Sequence, residues 1–134
     1  METEFSFKST AFNCTQPREY FINPGCFGDD LARWLIAKLK ERGIETGSGP
    51  GQEDFGWYFT FWVSDVEHCL VLGFQPNDPS AGDQWLGWLE RQAGFLSSLT
   101  GGRKRGISPK AVSLINEILT TAPEVRDLNW QEHR

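Results

Sequence analysis

Between Gln52 and Val63 the chain reads Gln-Glu-Asp-Phe-Gly-Trp-Tyr-Phe-Thr-Phe-Trp-Val, its densest aromatic run. Side chains on a strand alternate between faces, so Trp57, Phe59, Phe61 and Val63 share one side and Tyr58, Thr60, Trp62 and Ser64 the other. The first set is wholly apolar and predicts a core-facing surface. The second is amphipathic and predicts a half-covered one. Wound into a helix, the same aromatics would spread around the circumference and leave several in water, whereas aromatic and β-branched residues suit a pleated surface. The run therefore predicts the central strand of the only sheet, entered through two adjacent carboxylates, Glu53 and Asp54. Gly56 predicts a bend, a bulge or a close backbone approach at its start.

A chain of 134 residues has the size of one domain and buries roughly two thirds of the surface its unfolded form exposes. Six Trp and ten Phe supply a core that needs no metal or disulfide. The three cysteines, Cys14, Cys26 and Cys69, show no close pair and no metal-type spacing, which predicts reduced thiols and a cytoplasmic protein. A net charge of −5 argues against a binder of phosphate backbones, so a nucleic-acid partner is not expected. The N-terminal stretch is acidic and lacks an apolar signal core, and no run is long enough to span a bilayer, so no membrane partner is expected.

Either side of the aromatic run, the chain alternates between strand and helix signals. Phe5 and Phe7 alternate with polar neighbours and predict a short first strand at a sheet edge. Residues 9–27 contain the breakers Pro17, Pro24 and Gly25, yet Tyr20, Phe21, Ile22 and Phe27 predict a connection lying against the body. Leu31, Trp34, Leu35 and Leu39 form one helical stripe, with Asp29 as the expected cap and Gly43 as the expected left-handed stop. Ile44 is then expected to pack back on Leu39. Residues 46–52 read as a loop, 68–74 as the returning strand, 75–82 as a second turn region. Residues 84–91 fit helix or strand, and Gly87 tilts them to strand. Phe95 to Leu99 fit a short helical turn. Ser108 and Pro109 open a last helix with the stripe Val112, Ile115, Leu119 and Ala122, stapled by Ile107 and Val112. Val125, Leu128 and Trp130 then predict a closing strand or an extended segment docked on the sheet. The expected architecture is α+β: an antiparallel sheet of three or four strands with two main helices packed on one face. Tyr58 and Trp62 would then lie on a partly open surface, a dimer contact or a partner site.

Candidate chemistry is sparse. Glu53 or Asp54, placed in a cleft beside Trp57 and Tyr58, would gain the desolvation that a general base needs. Adjacent strand residues diverge, however, and a capping or solvated role is the simpler assignment. Asp65, Glu67, His68 and Cys69 are metal-binding types, but their faces alternate and a structural zinc needs four Cys or His ligands. No metal and no cofactor are expected, and Cys69 reads as a small core residue. Arg103, Lys104 and Arg105 sit between glycines just ahead of the helix start at Ser108, a pattern that can hold an anion, although a solvated loop is the simpler reading. No Gly-x-Ser-x-Gly elbow is present.

Glu53-Asp54-Phe55-Gly56-Trp57, preceded by Phe27-Gly28-Asp29-Asp30-Leu31-Ala32-Arg33-Trp34-Leu35, resembles a set of small uncharacterised bacterial proteins over the first two thirds of the chain. The resemblance implies no activity, cofactor or catalytic residue. In its size, acidity and tryptophan content the chain is similar in character to bacterial immunity proteins. The sequence thus leaves three readings. The favoured one is a non-enzymatic interaction domain that holds a protein partner through its acidic surface and the Tyr58 and Trp62 face. The alternatives are a small hydrolase or transferase using Glu53 or Asp54, and an anion or nucleotide sensor using Arg103 to Arg105.

Overall fold

The computed structural model describes residues 2–54, 56–91 and 106–132. Its elements run β1 (Glu4–Lys8), α1 (Asp29–Glu41), β2 (Gly51–Glu53), β3 (Gly56–Val63), β4 (Val66–Asp78), β5 (Gly82–Arg91), α2 (Pro109–Thr121) and β6 (Arg126–Gln131). The strands form a six-stranded sheet in the order β2-β3-β4-β5-β1-β6, with every neighbouring pair antiparallel. The α+β class is as the sequence implies, but the sheet is larger than three or four strands. Residues 51–53 and 126–131 account for the difference by adding a strand at each edge; β4 also runs on through Pro76 to Asp78, leaving only a tight turn before β5.

Strand β3 does alternate as its sequence demands. Trp57, Phe59, Phe61 and Val63 are buried, while Tyr58, Thr60 and Trp62 are half-buried. It is not the central strand, however. That place belongs to β4 and β5, and β3 lies one strand in from the β2 edge. Nor is β1 an edge. It is paired on both sides, with β5 and with β6, which explains why Phe5 and Phe7 are fully enclosed. The 84–91 stretch is strand: Trp85 and Leu89 turn inward, and Gly87 leaves room for the Phe5 ring across the ladder, where a Cβ would come within 2.3 Å of Phe5 Cζ.

Both helices roof one face. Leu31, Leu35 and Leu39 of α1 and Ile115, Ile118 and Leu119 of α2 join a single cluster with Phe5, Phe7, Phe59, Phe61, Leu70, Leu72, Trp85 and Leu89. Helix α1 ends as its sequence predicts. Gly43 takes φ 75°, its N–H reaches the Lys40 carbonyl, and the Ile44 N–H reaches the Leu39 carbonyl at 3.0 Å, closing a Schellman motif. Its start differs. Gly28 is the cap residue and offers no side chain, while Asp29 is the first helical residue and is buried. Helix α2 opens as expected, with the Ser108 side chain accepting from the Lys110 N–H and Pro109 following. The 95–99 turn lies outside the described residues.

Candidate functional site

The segment from Tyr20 to Phe27 has no regular secondary structure, so its backbone groups need partners from elsewhere. Gln52, on edge strand β2, supplies them. Its Oε1 accepts from the Ile22 N–H at 2.6 Å and the Asn23 N–H at 3.2 Å, and its Nε2 donates to the Asn23 carbonyl at 2.9 Å. One amide side chain thus acts as a surrogate strand for the loop. Trp57 adds a second fastening, its indole N–H donating to the Cys26 carbonyl at 2.9 Å. Gln52 and Trp57 are direct register partners, so a single cross-strand pair anchors the loop.

Aromatic packing completes the attachment. The Phe21 ring lies 5.0 Å from Trp57 and 5.9 Å from Phe27, and Tyr20 meets Trp57 edge-on at 6.4 Å. The Tyr20 hydroxyl donates to the Asp29 carboxylate, a bond that raises the phenol pKa by stabilising its protonated form. Arg33, one turn further along α1, sets its guanidinium over the Tyr20 ring at 5.4 Å. Thiol Cys26 has its pKa raised by burial. The outcome is a loop without helix or strand that is nonetheless fixed at both flanks.

The loop presents the two exposed large hydrophobic side chains of the described residues. Ile22 is 83% exposed and Tyr20 is 53% exposed, although Phe21 between them is buried. The sequence predicts this segment against the body, and for Phe21 and Phe27 that holds. Tyr20 and Ile22 instead face outward, because Phe21 takes the inward position beside Trp57. The only sequence signal for this was the alternation Tyr-Phe-Ile ahead of Pro24-Gly25.

Glu53 and Asp54 sit where β2 turns into β3 and are both exposed; neither lines the cavities of about 490 and 420 Å³ found elsewhere on the surface. An exposed carboxylate lacks the desolvated surroundings that general-base chemistry requires. Around them, Gly56 and Trp57 have structural work. A Cβ on Gly56 would come within 2.2 Å of the Leu72 carbonyl oxygen, so only glycine lets β3 start this close to β4. The Gly28 region meets the start of β3 here, since a Cβ on Gly28 would stand 3.3 Å from Trp57.

Tyr58 and Trp62 lie on the sheet face away from the two helices. Tyr58 crosses its register partner Gly51, where a Cβ would be 2.7 Å from the ring, and so half covers itself. Trp62 is half-buried and its backbone N–H bonds the Glu45 carbonyl. His68 is fully buried on the helix-covered face and stacks on Phe61, whereas Cys69 turns to the opposite face. Ser108 spends its hydroxyl on Lys110 and its N–H on His68. Arg103, Lys104 and Arg105 lie outside the described residues.

Compared with models of protein families, with curated proteins and with solved structures, the chain finds no match. The site must therefore be read from its own geometry.

Proposed function

We propose that this chain is a non-enzymatic protein-interaction module, and that it grips its partner with the Tyr20–Cys26 loop. The observation that carries this reading is the pairing of exposure with rigidity. Ile22, 83% exposed at the crown of the loop, and Tyr20 two positions before it are the exposed large hydrophobics among the described residues, and covering them in an interface would remove apolar surface from water. Loops are ordinarily mobile, and binding would have to order this one. Here Gln52, Trp57 and Asp29 have already fixed it, so little ordering cost is left for the encounter. Tyr20 adds a flat, amphipathic contact of the type that dominates interface energetics. The charge of −5 suits a partner of positive excess, which it would steer over a distance without deciding the fit. An immunity-like or regulatory role belongs to this class of module.

The test is Ile22→Asp, a change on an exposed side chain that leaves the core untouched. Partners captured from source cells by the wild-type chain are compared with those captured by Ile22→Asp and by the double variant Glu53→Gln, Asp54→Asn. The expected outcome is a partner lost with Ile22→Asp and kept by the double variant. With purified partner, the loss corresponds to a hot spot of about 2 kcal/mol, roughly thirtyfold in Kd. An identical partner set on all three chains, or loss only with the carboxylate variant, would defeat the reading.

A further inference from the structure

A second site lies away from the loop, where β1 ends against β6. A cavity of about 420 Å³ opens there, within the range of small-molecule pockets. Phe12, Phe74 and Trp85 form its apolar wall, the rings of Phe12 and Phe74 lying 5.9 and 4.9 Å from Trp85. Lys8 and Arg126 also line it, and they are direct register partners across β1 and β6, just past a bulge that follows Ser6. Like charges placed opposite one another on neighbouring strands repel and destabilise the pairing. Neither cation has a carboxylate within ion-pair distance among the described residues. Asp83 contributes one carboxylate to the same wall, its Oδ1 accepting from the Asn77 N–H at 2.9 Å, and so offsets one of the two cations. The wall therefore carries a positive excess in a chain whose net charge is −5.

From this juxtaposition we propose that the cavity binds a small organic carboxylate, its charged end between Lys8 and Arg126 and its apolar body on Phe74 and the accessible edge of Phe12, which the buried Trp85 backs. The carboxylate removes the repulsion between the two cations, and the guanidinium offers it a two-pronged hydrogen bond. The aromatic wall selects against bare inorganic anions, which bring no apolar surface to bury. This site is independent of the Tyr20–Cys26 loop, and neither proposal needs the other.

Calorimetric titration at low salt tests it with phenylacetate, its neutral analogue phenylacetamide, and inorganic phosphate. Phenylacetate is expected to bind saturably at one site per chain, with phenylacetamide and phosphate at least about tenfold weaker. Arg126→Gln and Lys8→Gln are each expected to weaken phenylacetate by about tenfold or more while circular dichroism stays that of the wild type and Tm does not fall, since each removes a like-charge contact. Arg126 is exposed on an edge strand, so its variant keeps the test valid if Lys8→Gln folds poorly. In amide and indole NMR spectra, Trp85 and Phe12 should shift on binding and Ile22 should not. Absence of phenylacetate binding, equal binding of the amide or of phosphate, or undiminished binding by Arg126→Gln would each overturn the assignment.

Discussion

His68 commits both ring nitrogens to the backbone. Its Nδ1 faces the Val66 carbonyl at 3.0 Å and its Nε2 accepts from the Ser108 N–H at 3.0 Å, an arrangement that requires the neutral ring with its proton on Nδ1. The imidazole thereby ties the start of α2 to β4. Burial, above all, pushes its pKa below the ordinary value of 6.5; the positive charge of Arg91 acts the same way, while the bond to Val66 opposes. Folding then favours the neutral ring more than the unfolded chain does. The stability that His68 contributes is complete above about pH 6.5 and is lost as pH falls from there through the lowered folded value. Urea titrations at a series of pH values should show wild-type stability declining over that window. His68→Phe should be less stable at neutral pH, because the Ser108 N–H loses its acceptor, yet should decline less steeply across the same window. Equal slopes in the two proteins would show that His68 does not titrate with unfolding. Among metal-binding residue types in the sequence, this histidine was visible; that its partner would be a helix cap forty positions away was not.

At the level of elements, the signals that proved legible are local ones. Alternation along Trp57 to Val63, the Gly43 and Ile44 stop, and the Ser108 and Pro109 start each depend on residues within a turn or a strand of one another. The start of α1 misled because Asp29 has the chemistry of a cap, while the distant Tyr20 hydroxyl recruits its carboxylate one position inside the helix. The loop anchored by Gln52 was illegible for a related reason. Nothing in Gly-Gln-Glu-Asp tells that its glutamine will bond residues 29 and 30 positions earlier. Gln52→Ala should leave the sheet intact but free the loop, because two backbone N–H groups lose their acceptor at once. Hydrogen exchange at Ile22 and Asn23 should speed by about tenfold or more, while amides of β4 and β5 keep their protection. Unchanged exchange at both loop positions would show that the aromatic contacts alone fix the segment, and Gln52 would then have no part in recognition.

On the scale of the molecule, the strand order is what no local pattern revealed. Alternation places a side chain inward or outward but says nothing about which strand lies beside it. Phe5 and Phe7 therefore read as the margin of the sheet when they are the seam between β5 and β6. Phe5 stacks toward Phe7 at 6.1 Å and toward Trp130 at 5.1 Å, and it fills the space over Gly87. Phe5→Ala should cost about 3–5 kcal/mol in denaturant unfolding, a large part of the stability of an ordinary domain. Leu128→Ala, on the half-buried edge strand, should cost distinctly less; equal losses would place the seam elsewhere. The position of β1 also sets an order of events at the ribosome. Its first partner strand begins at Gly82 and its second at Arg126, so the nascent Phe-x-Phe segment is made long before either neighbour exists. At roughly 5–20 residues per second, translation from Lys8 to Arg126 lasts about 6–24 s. Until β5 is made these deeply enclosed rings have no strand beside them, and until Arg126–Gln131 follows one flank of β1 stays open.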